Sequence, residues 1–223
     1  MRVITRHGLK GLVFLILLFF AVNPVQAEIS KVRVVRVPDG DTLILENQKV
    51  VRLKGIDAPE TGHHGKPAQY FSREATMRLR ELVLNKVIIL KTGKISRDRH
   101  NRTLAYACVS AGENINLIMV REGMAFCYPH PDQDAQVVEE ALRAQQRAMD
   151  LGLGFWPRVL VQYPEIDVWT GNKRSMRFHR PACVYGKRTA PRNVKKFSSL
   201  RNAFYAGFAP CRRCTPWPSV DDK

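Results

Sequence analysis

The sequence predicts an α+β chain: a small closed β-barrel with helices packed outside it, followed by a small basic module rich in cysteine. Three observations carry this. Five short strand-like runs are interrupted by one helical run and followed by two more, an order that suits a small barrel. Positive charge gathers at the C-terminal end. Three of the five cysteines lie there as well, close to a histidine.

The first 27 residues stand apart and read as an export signal. Arg2, Arg6 and Lys10 form a positive start, Gly11 to Val22 is an apolar run, and Val25-Gln26-Ala27 resembles a small-residue cleavage site. The run is about half of the ~20 residues that a membrane-spanning helix needs; an uncleaved anchor is the alternative. Cleavage after Ala27 would deliver a periplasmic or secreted chain, expected to be a monomer.

From Glu28 the elements follow in order. Lys31 to Val37 alternates basic residues with Val, as a half-buried strand does. Pro38-Asp39-Gly40 is a turn signal. Thr42 to Leu45 and Lys49 to Ile56 are the next two strands, joined tightly through Glu46-Asn47-Gln48. Pro67 to Asn85 carries Ala68, Phe71, Ala75, Leu79 and Leu82 at spacings of 3 and 4, the mark of an amphipathic helix. Val87 to Leu90 and Thr103 to Val109 complete the strands. Asn114 caps a short helix stopped by Gly123; Asp134 caps a longer one stopped by Gly152. Residues 28–157 thus form a first domain, 158–169 a linker, 170–216 a basic module and 217–223 a tail.

Hydrophobic residues at 45% and charged residues at 25% are ordinary for a folded globular protein. The balance of charge is not. Thirty-six Lys+Arg against 20 Asp+Glu give +16, the footprint of a polyanion binder. From Thr170 onward there are 13 Lys+Arg against Asp221 and Asp222, whereas residues 28–169 carry only +2. The basicity sits in the tail module, where it suits tracking of nucleic-acid phosphates. A solvated basic surface, or one held on an anionic cell envelope, is the plainer reading.

Three pieces of the first domain place acids and arginines at turns and strand ends. They are Asp39-Gly40-Asp41-Thr42, then Arg52 to Glu60, then Asp98-Arg99-His100-Asn101-Arg102. Phosphodiester hydrolysis needs a cation on the phosphate, an activated water and donors for charge on the equatorial oxygens. Asp41 and Asp57 are hard oxygen ligands that favour Ca²⁺ or Mg²⁺ over zinc. Glu60, three residues beyond Asp57 across a Pro turn, is the candidate general base. Arg52 and Arg102 present planar forks that match phosphate oxygens. Asp39 reads as a turn residue.

In this order, Asp-Gly-Asp-Thr, Arg-Leu-x-Gly-Ile-Asp-Ala-Pro-Glu, Asp-x-x-x-Arg-x-Leu-Ala-Tyr and the helix ending in Gly123-x-Ala125 resemble the staphylococcal-nuclease (thermonuclease) family over about residues 30–156. The resemblance implies a five-stranded OB-type barrel with three helices. It also implies hydrolysis of DNA and RNA to 3′-phosphate ends with Ca²⁺. Asp41 and Asp57 match its calcium carboxylates, Ala58 the position giving a backbone carbonyl to the metal, Glu60 the residue assigned to water activation, and Arg52 and Arg102 its phosphate-contacting arginines. Ala58 stands where Thr is often found, and Asn101 where Gly is common. Arg99, His100 and Tyr128 are the substrate-binding candidates, Tyr128 for base stacking. A catalytically inactive OB-type nucleic-acid-binding protein is the competing reading; the acids and arginines it would lack are all present.

The module carries His179, Cys183 and the Cys211-x-x-Cys214 pair, a set that suits a tetrahedral Cys₃His zinc site. Phe197 to Pro210 reads as a capped helix leading into that pair. About residues 170–216 resemble the Ada-type metal-binding domain, with His179 where that family has its first cysteine. Disulfides among Cys183, Cys211 and Cys214, or no metal at all, are the alternatives. Cys108 and Cys127 are either buried thiols or a bridge, with export favouring the bridge. A DNA-repair role driven by the module conflicts with an export signal.

Overall fold

A computed structural model describes residues 29–218, apart from residues 63, 64, 66, 110, 111, 130, 131, 165–167, 215 and 216. The segment read as an export signal and residues 219–223 of the tail lie outside the described residues.

The first region runs β1 (Ile29–Asp39), β2 (Thr42–Leu45), β3 (Val50–Leu53), β4 (Ile56–Asp57), α1 (Ser72–Val83), β5 (Val87–Arg97) and β6 (Thr103–Cys108). It continues through α2 (Ile115–Arg121), β7 (Phe126–Cys127) and α3 (Ala135–Asp150). Strands β1-β2-β3-β6-β5 close into a barrel in which only β3 and β6 pair in parallel. This is the five-stranded OB-type barrel with three helices that the sequence predicts.

Sequence detail explains its irregularities. The doubled Val34-Val35 breaks the two-residue alternation of β1, and the register against β2 shifts just there, returning Val37 to the core. The single strand expected over Lys49–Ile56 is broken at Gly55, whose φ of 81° ends the ladder and sends β4 away to pair with β7. β5 runs on to Arg97, past the predicted Leu90, because its polar half still pairs with β6. Helix α1 starts at Ser72 rather than Pro67 and buries Ala75, Leu79 and Val83. Asn114 and Asp134 cap α2 and α3 by accepting backbone N–H groups, as predicted.

The second region runs α4 (Trp156–Val159), β8 (Trp169–Asn172), β9 (Arg177–His179), α5 (Val184–Lys187), β10 (Val194–Phe197), α6 (Leu200–Tyr205) and β11 (Ala209–Pro210). Its sheet has the order β10-β8-β9-β11, and Ser199 caps α6. One apolar core fills the barrel. A second is shared: Phe126, Met149 and Phe155 from the first region pack with Trp156, Trp169, Phe178, Phe204 and Phe208 from the second. Val159 and Leu160, in the expected linker, join this core, and so does Trp217 of the expected tail, stacked on Phe126 at 5.3 Å. Trp217 Nε1 also donates to the Tyr70 carbonyl at 2.9 Å.

Buried Gln145 ties the two regions. Its Oε1 accepts from the Cys127 N–H at 2.7 Å, and its Nε2 donates to the Phe204 carbonyl at 2.6 Å. Cys108 and Cys127 form no bridge; both are buried free thiols, the other of the two readings. Burial pushes the Cys127 thiol up to about 12, which suppresses the thiolate that disulfide exchange requires.

Replacing Gln145 by Leu strands the buried Cys127 N–H, at about 1–3 kcal/mol, while the Phe204 carbonyl keeps the Gly207 N–H. Urea unfolding of Gln145→Leu is expected to show a loss of about 1–3 kcal/mol; a loss under about 0.5 kcal/mol would put the link between the regions elsewhere.

Candidate active site and cysteine cluster

The turn between β1 and β2 and the end of β4 are pressed together. A Cβ on Gly40 would lie 2.7 Å from the Ala58 Cβ and 2.8 Å from the Ala75 Cβ, so only glycine lets this turn approach. Asp39 serves the turn, accepting the Asp41 N–H at 3.0 Å. The result is two buried carboxylates on one guanidinium. Arg52 Nη2 lies 2.9 Å from Asp41 Oδ2 and 2.8 Å from Asp57 Oδ1, and its Nη1 donates to the Leu53 carbonyl. Asp41 also accepts the Ala58 N–H at 2.7 Å.

Burial pushes the Asp41 carboxyl well above the usual carboxylate range, and Arg52 only partly offsets it. Burial works against the Arg52 charge too, but Asp41 and Asp57 outweigh it and raise its pKa. Glu60 joins through a second guanidinium rather than directly. Arg212 Nη2 donates to Asp57 Oδ1 at 2.8 Å and Oδ2 at 3.0 Å, and lies 3.3 Å from Glu60 Oε1. Three carboxylates therefore face two cations, and the surplus of hard oxygen donors fits a divalent cation of the Ca²⁺ or Mg²⁺ kind.

Of the residues predicted from sequence, Asp41, Arg52, Asp57, Ala58 and Glu60 converge here. Arg102 comes directly before β6, whose Leu104 pairs with Arg52. The Arg102 Nε is held by Asp98 Oδ2 at 2.8 Å. Burial opposes the Asp98 charge, but hydrogen bonds from Arg102 and from the His100 N–H hold its carboxyl below the usual range. Asn101 takes φ 62°, the left-handed conformation expected of it. Arg99 and His100 lie exposed in this same turn, Arg99 Nε 3.1 Å from His100 Nε2. Tyr128 is half-buried, with the Arg177 guanidinium 4.5 Å from its ring centre, so one face is already covered. Arg212 was not foreseen; the Arg-Arg pair between two cysteines is the signal that carries it.

In the second region His179, Cys183, Cys211 and Cys214 bring their ligand atoms within 4.8 Å of one another. Cys183 Sγ lies 3.4 Å and Cys214 Sγ 3.9 Å from His179 Nδ1. Ligands of tetrahedral zinc stand roughly 3.5–3.8 Å apart, so the four fit that ion. None of these cysteines is in a disulfide. Burial, with Arg177 beside it, lowers the His179 pKa and keeps the imidazole neutral, the form that binds metal. Burial disfavours the Cys183 thiolate, but hydrogen bonds from the Gly186 N–H, Cys214 and the Tyr185 N–H lower its pKa on balance.

Comparison with known proteins agrees with both halves. Residues 50–158 match the model of the staphylococcal nuclease homologue family, and residues 156–216 match the metal binding domain of Ada. An uncharacterized endonuclease of Haemophilus influenzae is 36% identical over 146 residues, 64% of this chain and 75% of that protein. A thermonuclease of Staphylococcus hyicus is 33% identical over 128 residues, 56% and 74% of the two chains. A micrococcal nuclease of Shigella flexneri is 37% identical over 144 residues, 59% and 76%. With this coverage and the barrel's acid–arginine site in place, the chain belongs to the staphylococcal nuclease homologue family.

Proposed function

We propose that this protein is an exported, calcium-dependent nuclease that hydrolyses phosphodiester bonds of DNA and RNA and leaves 3′-phosphate ends. The observation that carries the reading is the Arg52 Nη2 atom, within 2.9 Å of buried Asp41 and Asp57 at once. It sets two hard-oxygen ligands beside a phosphate-matching fork. The nuclease and endonuclease names of the relatives support the same reaction.

Asp41 and Asp57, with the Ala58 carbonyl, would hold Ca²⁺, which supplies Lewis-acid polarisation of the phosphate when bound. Glu60, its side chain 39% exposed, faces the cleft and accepts the proton of the attacking water. Water adds to phosphorus as the bond to the 5′ oxygen breaks, and the phosphate remains on the 3′ side. Arg52 and Arg102 stabilise charge on the equatorial oxygens, Arg102 once it leaves Asp98 for the substrate. Arg99 and His100 border the cleft as further phosphate contacts, and Tyr128 offers its open face to a base. The C-terminal module holds zinc on His179, Cys183, Cys211 and Cys214 and adds positive charge along the strand. Export rests on the N-terminal segment. Among the described residues no helix is long and apolar enough to cross a membrane. The chain is proposed to act as a monomer.

Cleavage of single-stranded DNA is expected to fall about 10²–10⁴-fold in Glu60→Gln and about 10²–10³-fold in Arg102→Ala, with folding retained. Chelating the divalent cation should abolish it. Wild-type rates in either variant would reject the site assignment. For the module, metal analysis of the reduced full chain should find about one zinc, lost in Cys214→Ser; a reduced chain without zinc would exclude that reading.

A further inference from the structure

Arg212 belongs to the cysteine module, between Cys211 and Cys214, yet its guanidinium lies in the nuclease site on Asp57 and Glu60. Asp57 above all, against the cost of burial, raises its pKa far above the ordinary value, so it is a permanent cation. Among the described residues only Nη2 is engaged. Among the described residues Nη1 and Nε make no hydrogen bond, and the side chain is 57% exposed. An arginine has five N–H donors in a rigid fork, so three remain for an anion.

The arginine is also held in place from behind. The Cys211 N–H donates to the Phe178 carbonyl at 3.0 Å, and the Arg180 N–H to Cys214 Sγ at 3.4 Å. Arg177 Nη1 donates to the Pro210 carbonyl at 2.6 Å. Behind these lie the shared aromatic core and the Gln145 link. Such anchoring suits a pre-organised contact more than a wandering surface arginine. Asp57 is not lost as a metal ligand, because a carboxylate offers about four lone-pair positions.

We propose that Arg212 is a third substrate-contacting arginine of the nuclease, supplied in cis by the cysteine module, and that it takes a phosphate of the bound strand. Nη2 keeps Asp57 and Glu60 in place while Nη1 donates to the phosphate. The cysteine cluster then acts as a positioning element of the active site, holding the short segment that carries this arginine. The proposal rests on reading Asp57 and Glu60 as the nuclease site.

The test is the salt dependence of binding, which a purely structural role would not alter. The full chain, with no calcium added, is titrated into a labelled single-stranded thymidine oligonucleotide across about 50–200 mM salt. Arg212→Ala should bind about tenfold more weakly, and the slope of log affinity on log salt should shrink by about 0.7, the share of one phosphate contact on a single strand. Arg212→Lys should recover the slope because it restores the charge. Arg212→Gln, which keeps the bulk, should behave like Ala. An unchanged slope in Arg212→Ala and Arg212→Gln would overturn the proposal, whatever the affinity does. The two readings separate cleanly. A Glu60→Gln chain that cleaves at the wild-type rate rejects the assignment of Glu60, and the slope still decides the role of Arg212.

Discussion

One buried guanidinium organises the molecule. Arg52 sits on β3 with Asp41 on one side and Asp57 on the other, all three nearly shielded from water. Two carboxylates this close would repel each other in a medium of low dielectric constant, and the guanidinium between them offsets that repulsion. Removing one member of such a buried group leaves the others uncompensated, at about 3–5 kcal/mol. Even so, Arg52 does not fully neutralise the acids. Burial is the main cause of the raised Asp41 pKa, and two carboxylates on one guanidinium leave a negative balance that suits a divalent cation.

The barrel exists, in this view, to hold that imbalance steady. Each participant stands on a rigid edge: Asp41 at the start of β2, Arg52 within β3, Asp57 at the end of β4 and Arg102 just before β6. Away from the site, Lys54 makes a second buried ion pair with Asp132 at 2.6 Å, tying the barrel to the loop before α3. Arg78 on α1 grips Glu122 with two hydrogen bonds and fixes α1 against the end of α2. These contacts lie on the link between packing and site geometry, where a misplacement of an ångström is costly.

Much of this was legible in the sequence, and the reason is punctuation. Asp41, Asp57 and Glu60 adjoin Gly40, Gly55 and Pro59, so the turns that converge at the site announce themselves. Helix caps at Asn114 and Asp134 are equally local signals. What stayed hidden was distant in sequence or too short to show a period. β4 and β7 have two residues each, and their pairing depends on where the barrel ejects the chain. Arg212 meets Asp57 across 155 positions, a contact that only the shared aromatic core brings about. Trp217 looked like part of a tail because nothing local reveals that Phe126 waits for it. Of the two readings of Cys108 and Cys127, the buried thiols hold, and burial raises the Cys127 pKa.

The central claim is that Asp41 and Asp57, with Arg52 between them, form a cation-binding nuclease site. Calorimetric titration of Ca²⁺ into the wild-type chain and into Asp57→Asn tests it without reference to catalysis. The account predicts that the wild type binds the ion and that the variant, with its fold intact by circular dichroism, loses that binding. Equal calcium binding by both proteins would contradict it.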